Sequence, residues 1–245
     1  EEEELEFQQV EKATSLFNSC KIRHLKSMSK VTSCFDSLVA VSPEDSITAI
    51  CSQLFEHQLH GVPVVEGGTA LSVVTAFRIL QYFANNLESK PDFMTSTLAE
   101  LGIGTYHQIL TILRETPLIV VLDVLARREL TSVPVVDDRG VVVDVFTQDD
   151  VLSLGCWPDL FDFMEEPLHD VISLIEKDGI QRHKPVPTCR RSETLENIVY
   201  RLLTNVGQRS LVCVDSEGHI EGIVSVSDIL RFLYEIFISK KKEKK

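Results

Sequence analysis

The chain has 245 residues, 44% of them hydrophobic and 25% charged, which fits a globular protein of one or two domains with a sizeable core. Its net charge of −13 excludes a broad nucleic-acid surface, which needs a basic face, while leaving room for a local basic pocket for a small anion. No apolar run approaches the ~20 residues of a membrane span, so no membrane partner is expected.

The chain starts at Glu1, without Met and without an apolar leader, so an intracellular fragment of a longer chain is expected, located in the cytoplasm and extending to the nucleus. Residues 1–20 read as an acidic, helix-favouring lead-in that opens on EEEELEFQQVEK. Cys20, Cys34, Cys51, Cys156, Cys189 and Cys213 form no C-x-x-C pair, so neither a zinc site nor a disulfide framework is signalled.

One block is then written three times: HGVPVVEGGTALSVVTAFRIL, TSVPVVDDRGVVVDVFTQDDVL and RSLVCVDSEGHIEGIVSVSDIL, anchored at Pro63, Pro134 and Val212. Such a repeat dictates the architecture ahead of any local reading. In each copy a short β-type run comes first, at Leu38–Val41, a weak Ile109–Leu113, and Val186–Cys189. A helix follows, opened by Ser42-Pro43, Thr116-Pro117 or Ser192, because Ser or Thr caps well and Pro at the first position sacrifices no needed N–H. Its apolar stripe is Ile47, Ile50, Cys51, Leu54 and Phe55, then Leu118, Val121, Leu122 and Leu125, then Leu195, Ile198, Val199, Leu202 and Leu203.

Two strands joined by a glycine turn come next, with Gly67-Gly68, Gly140 and Gly218 at the turns. A second helix closes each copy, at Phe77–Phe83, Asp149–Leu154 and Asp228–Tyr234. The fold class is α/β, built of β-α-β-β-α modules too small to be stable alone. The expected segments are the lead-in 1–20, modules over 21–88, 89–156 and 157–238, the latter two including their linkers, and a basic tail 239–245. That tail reads either as a solvated end or as an anionic docking arm.

This grammar resembles the cystathionine-β-synthase (CBS) domain, a regulatory module that pairs and takes adenosine-containing ligands. The linker KPDFMTSTLAELGIGTYHQI, Lys90 to Ile109, is similar to the corresponding linker in gamma subunits of AMP-activated protein kinases, and GIVSVSDIL and VPVVDDRGVVVDVF match that family's last two modules. The resemblance spans about residues 20 to 237 and aligns the three copies with the family's second, third and fourth modules. It implies tandem CBS modules, one Bateman-type pair plus one unpaired module whose apolar face is exposed or covered by another chain. It also implies kinase alpha and beta subunits as partners and AMP, ADP or ATP as ligands, with no required cofactor.

Before each second helix stands Thr75-x-x-Arg78, Thr147-x-x-Asp150 or Ser225-x-x-Asp228. One reading is a capping box that satisfies orphan N–H groups. The other, raised by the resemblance, has Asp150 and Asp228 accept the ribose hydroxyls while Thr147, Ser225, Ser227 and the helix start help hold phosphate. The two are compatible. Arg78 cannot accept a ribose hydroxyl; it is a surface residue or lends charge to a phosphate.

The family's His-Arg pair is reduced to His60-Gly61 in the first copy and Arg209-Ser210 in the third, and a family Lys is Phe77 here. Each lost charge-assisted bond, worth roughly 1.5–3 kcal/mol, weakens phosphate binding by about tenfold or more. His60 and Arg209 remain phosphate-side candidates, His60 with a purely structural role as its alternative. Thr105, Leu130, Thr131 and Ser132 match family positions along the adenosine, although Thr131 and Ser132 equally suit ordinary strand ends.

No nucleophile elbow, zincin motif, P-loop or kinase loop appears, and the doublets Asp137-Asp138, Asp149-Asp150 and Glu165-Glu166 read as solvated acids. No catalytic residue and no metal site is assigned. The resemblance therefore implies a noncatalytic energy-sensing regulator, with a degenerate gamma-like scaffold as the alternative.

Overall fold

The structure, a computed structural model, describes residues 39–87, 89–155, 157, 160–177, 182, 186–205 and 209–243. Leu38, the lead-in 1–20, Cys20, Cys34, Cys156 and the last two lysines lie outside the described residues. The first copy comprises α1 (Ile47–Glu56), β1 (Gly61–Glu66), β2 (Thr69–Thr75) and α2 (Ala76–Asn85). After a short helix α3 (Leu98–Leu101), the second has β3 (Ile112–Leu113), α4 (Leu118–Arg128), β4 (Ser132–Val136), β5 (Val142–Thr147) and α5 (Gln148–Leu154). Helix α6 (Leu168–Lys177) leads to the third, with β6 (Thr188–Cys189), α7 (Leu195–Thr204), β7 (Ser210–Val214), β8 (Ile220–Ser225) and α8 (Val226–Glu243). Each hairpin is antiparallel and breaks register at the same point, between Val64 and Val65, Val135 and Val136, and Cys213 and Val214. In the second and third copies the leading strand pairs in parallel with the first hairpin strand.

The leading strands are shorter than their β-type runs. Val41 makes only an isolated parallel bridge to Val64, and the Ile109–Leu113 run pairs only at Ile112 and Leu113, because Ile109 and Leu110 turn aside to line a cleft. The first helices start later than Ser42 and Ser192 predict. Ser46 Oγ accepts the Ala49 N–H at 3.2 Å and Thr194 Oγ1 accepts the Asn197 N–H at 3.5 Å, while Ser42 joins a turn with Asp45. Helix α4 begins at Leu118 with Pro117 as its cap and no side-chain capping bond. The third closing helix continues past Tyr234 to Glu243, so the basic run begins as helix.

The uncapped start of α4 is satisfied from the third copy's leader. Leu118 and Ile119 donate to the carbonyls of Glu166 and Met164, and Leu168 donates back to Thr116 O. The third copy repeats this with the second copy's leader: Leu98 donates to Glu193 O, and Leu195 donates to Ser96 O. The leaders are thus exchanged. Leu168, Val171, Ile172 and Ile175 are buried with Val121 and Phe146 in one core, whereas Met94, Leu98 and Ile103 are buried with Leu195, Leu202 and Leu211 in another. Thr105 and Ile223 exchange both backbone hydrogen bonds, at 2.8 and 2.9 Å, so the linker adds an edge to β8. That approach depends on glycine: a Cβ on Gly222 would lie 2.4 Å from Tyr106 Cδ1 and 2.6 Å from Thr105 O.

The first copy is less isolated than the expected unpaired module. Its α1 and α2 pack on α8, and Leu54 and Leu80 share a core with Leu230 and Leu233. Phe55 meets Tyr234 and Phe83 meets Phe237 edge to face, with centroids 5.4 and 5.7 Å apart. One face of its hairpin stays uncovered, with Leu71 54% and Val73 62% exposed, while Val62 and Val64 are buried in the core. Gly222→Ala is expected to push the Tyr106 linker off β8 and lower the unfolding free energy by about 1–3 kcal/mol, measured by urea denaturation.

Candidate functional site

The three copies superpose at their helix starts through shared hydrogen bonds. The N–H of Ala76, Gln148 and Val226 donates to the carbonyl of His60, Thr131 and Arg209, respectively. Arg78, Asp150 and Asp228 then occupy one position, each donating its N–H to the hydroxyl of Thr75, Thr147 or Ser225 at 3.2–3.3 Å. The two acids complete capping boxes with a single oxygen. Asp150 Oδ2 accepts from Thr147 N and Oγ1 at 2.8 and 2.9 Å, and Asp228 Oδ2 accepts from Ser225 N and Oγ at 2.8 and 2.6 Å. Capping therefore leaves Oδ1 of each acid for another partner.

At Asp228 that second oxygen has no protein donor among the described residues. The carboxylate borders a cleft of about 600 Å³, within the range typical of small-molecule sites. One wall comes from the third copy, with Ser210, Ile223, Ser225 and Asp228; the other comes from the linker and the second copy, with Thr105, Ile109, Leu110, Leu130, Thr131 and Ser132. Of the sequence-derived candidates, Thr105, Leu130, Thr131, Ser132, Ser225 and Asp228 thus meet around one space. Its apolar lining suits a flat heterocycle, and its hydroxyls and carboxylate suit a sugar.

The other candidates lie elsewhere. His60 and Arg78 are exposed and do not line the cleft; neither does Ser227 nor Thr147. Arg209 also stays outside it, with its guanidinium 4.2 Å above the Phe77 ring, a cation–π contact between the third and first copies. The cation that does line the cleft is Arg128, beside Glu129, which the left-handed end of α4 (φ 53°) places on the rim. Sequence reading missed this pair, whose position depends on where α4 ends.

At Asp150 the outcome differs. Arg182 donates from Nε to Oδ1 of Asp150 at 2.8 Å, from Nη1 to Asp144 at 2.7 Å and from Nη2 to the Val145 carbonyl at 2.7 Å. Its side chain is only 5% exposed. Burial opposes its charge, but hydrogen bonds and charge from Asp150 and Asp144 outweigh that and hold its pKa above the ordinary arginine value. The register explains the contrast: Asp144 corresponds to Gly222 and Val145 to Ile223. On β8 the exposed carbonyl meets the backbone of Thr105, while on β5 it meets a guanidinium. Burial also pushes the Tyr106 hydroxyl beside β8 up to about 12, with nearby thiols reinforcing the shift.

Among the described residues no cluster of three or more His, Cys, Asp or Glu side chains has the makings of a metal site, and no helix is long and apolar enough to cross a membrane.

Comparison with known proteins agrees with this architecture. A family profile for the CBS domain matches residues 28–85, 102–155 and 180–235. Among curated proteins, the 5'-AMP-activated protein kinase subunit gamma of Dictyostelium discoideum is 32% identical over 80% of this chain and 35% of its own length. Subunit gamma-3 of Bos taurus is 29% identical over 82% of this chain and 40% of its own length. The chain thus spans well under half the length of these relatives. Among solved structures, protein MJ1225 from Methanocaldococcus jannaschii shares the fold with a TM-score of 0.66 at 15% identity, covering 80% of this chain and 67% of that one. An uncharacterized conserved protein from Pyrococcus horikoshii follows at 0.60 and 17%, covering 80% and 79%.

Arg182→Met leaves Asp144 and Asp150 without their counterion and is expected to lower the unfolding free energy by about 3–5 kcal/mol. Arg114→Met, which breaks an exposed pair with Glu115, is the control and should leave the denaturation midpoint nearly unchanged.

Proposed function

This chain belongs to the CBS-domain family, and on that premise we propose that it is a noncatalytic regulatory subunit of an AMP-activated-type Ser/Thr protein kinase, holding AMP, ADP or ATP in the Asp228 cleft. One observation carries the nucleotide reading. Asp228 commits one oxygen to its helix cap, and the other, with no protein donor among the described residues, belongs to a carboxylate bordering a cleft shared by two modules. The ribose hydroxyls donate to that carboxylate. Ile109, Leu110, Leu130 and Ile223 take the adenine face. Thr131, Ser132 and Arg128 stand on the opposite wall for phosphate.

Phosphate number regulates the kinase only if the two kinase states bind the nucleotide with different affinities, and coupling cannot exceed that difference. Because the cleft is shared by the second and third copies, a ligand in it bears on how they sit together. The similarity to gamma subunits supports kinase alpha and beta chains as partners.

A second reading, a gamma-like scaffold indifferent to nucleotide, is favoured by one observation: His60, Arg78 and Arg209 all stay outside the cleft, Arg209 being stacked on Phe77. Titration calorimetry with AMP at low salt separates the two. Binding is expected in the wild type, and Asp228→Ala, which removes hydrogen bonds to a charged acceptor, is expected to weaken it about a hundredfold. No heat from a folded sample at saturating AMP leaves the scaffold reading standing. Copurification with alpha and beta chains checks the partners.

A further inference from the structure

Asp150 and Asp228 start from the same local geometry: the same place in the helix, the same hydroxyl cap, the same oxygen committed to it. They differ in what reaches the other oxygen. At Asp228 there is cleft; at Asp150 there is the guanidinium of Arg182, which arrives from 32 positions along the chain and bonds the carboxylate, Asp144 and the Val145 carbonyl together. A planar group that donates to the acid and to the strand-edge carbonyl satisfies the polar atoms a nucleoside would otherwise meet there.

The neighbouring residues fit that role. Asp144 interrupts the apolar strand VVDVFT with a charge, and its counterpart on β8 is Gly222, which leaves room for the linker. Glu176 stands 3.9 Å from the same guanidinium, so three acids surround it.

We infer that Arg182 is a built-in occupant of the position around Asp150 that corresponds to the Asp228 cleft, holding the Asp150 carboxylate in place of a nucleoside and leaving the paired modules with a single adenosine site. This rests on the nucleotide reading of the Asp228 cleft, of which it fixes the stoichiometry. The two positions are asymmetric: at β8 Thr105 supplies a backbone edge and leaves a space beside Asp228, whereas at β5 the Arg182 side chain takes up the carboxylate.

Equilibrium dialysis with labelled adenosine on the full chain tests this. Adenosine is the probe because removing the guanidinium leaves Asp144, Asp150 and Glu176 close together, where a phosphate would be repelled. The wild type should take up one adenosine per chain and Arg182→Ala two. Asp144→Gly/Arg182→Ala, which also removes an acid left without its counterion, guards against loss of folding and should likewise take up two. Arg182→Ala/Asp228→Ala should return to one.

In the wild-type background Asp150→Asn should leave uptake at one, since that carboxylate is already occupied; loss of uptake there overturns the proposal. So does a wild type that takes up two, or folded Arg182→Ala and double variants that take up no more than the wild type. A wild type that takes up none while Arg182→Ala takes up one sinks the Asp228 reading and leaves the Arg182 occupant standing.

Discussion

The exchange of leaders between the second and third copies is the constraint from which the site follows. The first N–H groups of an α-helix have no partner within the helix, and burying them unpaired is costly. Helix α4 has no capping side chain, so its opening donors at Leu118 and Ile119 take carbonyls of the third copy's leader. The third copy returns the arrangement through Leu98, Leu195 and Ser96. Because each copy's core includes the other's leader, neither can be removed without opening a core. The cleft inherits this geometry: its walls belong to different copies, held in register by backbone hydrogen bonds rather than by surface side chains.

Within that frame one residue position serves two ends. A carboxylate at the third helical position reaches back to cap the helix, and that bond uses one oxygen. Whether the other meets solvent, ligand or cation is settled by the chain that crosses the neighbouring strand edge. On β8 the crossing segment is flat, because Gly104 (φ 113°) and Gly222 allow Thr105 and Tyr106 to lie against the strand. At β5 the side chain of Arg182 meets the strand edge instead, and Asp144 is there to receive it. Two copies with the same local signature therefore end in opposite states, and the difference lies in tertiary structure.

That explains which parts were readable from sequence and which were not. Apolar periodicity located the stripe of each copy's first helix, since Ile50, Cys51 and Leu54, Leu118, Val121 and Leu125, and Leu195, Ile198, Val199 and Leu202 are all buried, although Ile47 at the start of α1 is exposed and Phe55, Leu122 and Leu203 are only half-buried. Helix starts were misplaced where a better cap lay a few residues on, at Ser46 and Thr194, or where the cap came from another segment, at Leu118. Thr105, Leu130, Thr131, Ser132, Ser225 and Asp228 meet around one cleft, whereas Asp150, the other ribose candidate, is held by Arg182 and, like Thr147 and Ser227, does not line it. The phosphate-side candidates do not line it either: His60 and Arg78 belong to a copy whose helices face α8, and Arg209 found Phe77. One local signal for Arg182 was present. An aspartate inside the run VVVDVF asks for a buried counterion, although the sequence does not say which arginine answers.

Phe77 and Arg209 tie the first copy to the cleft-bearing one, and α8 does so more strongly. Asp228 lies in its first turn, and the following turns bury Ile229, Leu230 and Leu233 in the core shared with Leu54, Ile79 and Leu80 of the first copy. A helix is a stiff element, and its start is fixed by the same Ser225–Asp228 cap that frames the cleft. A ligand that binds only the folded cleft stabilises everything that must be intact for the cleft to exist, by RT ln(1 + [L]/Kd). Here that set includes the helical face of the first copy, which contributes nothing to the cleft lining. Any ligand of the cleft, the proposed nucleotide included, is thus thermodynamically linked to the first copy without touching it, through a helix whose first turn borders the cleft and whose body packs on the first copy.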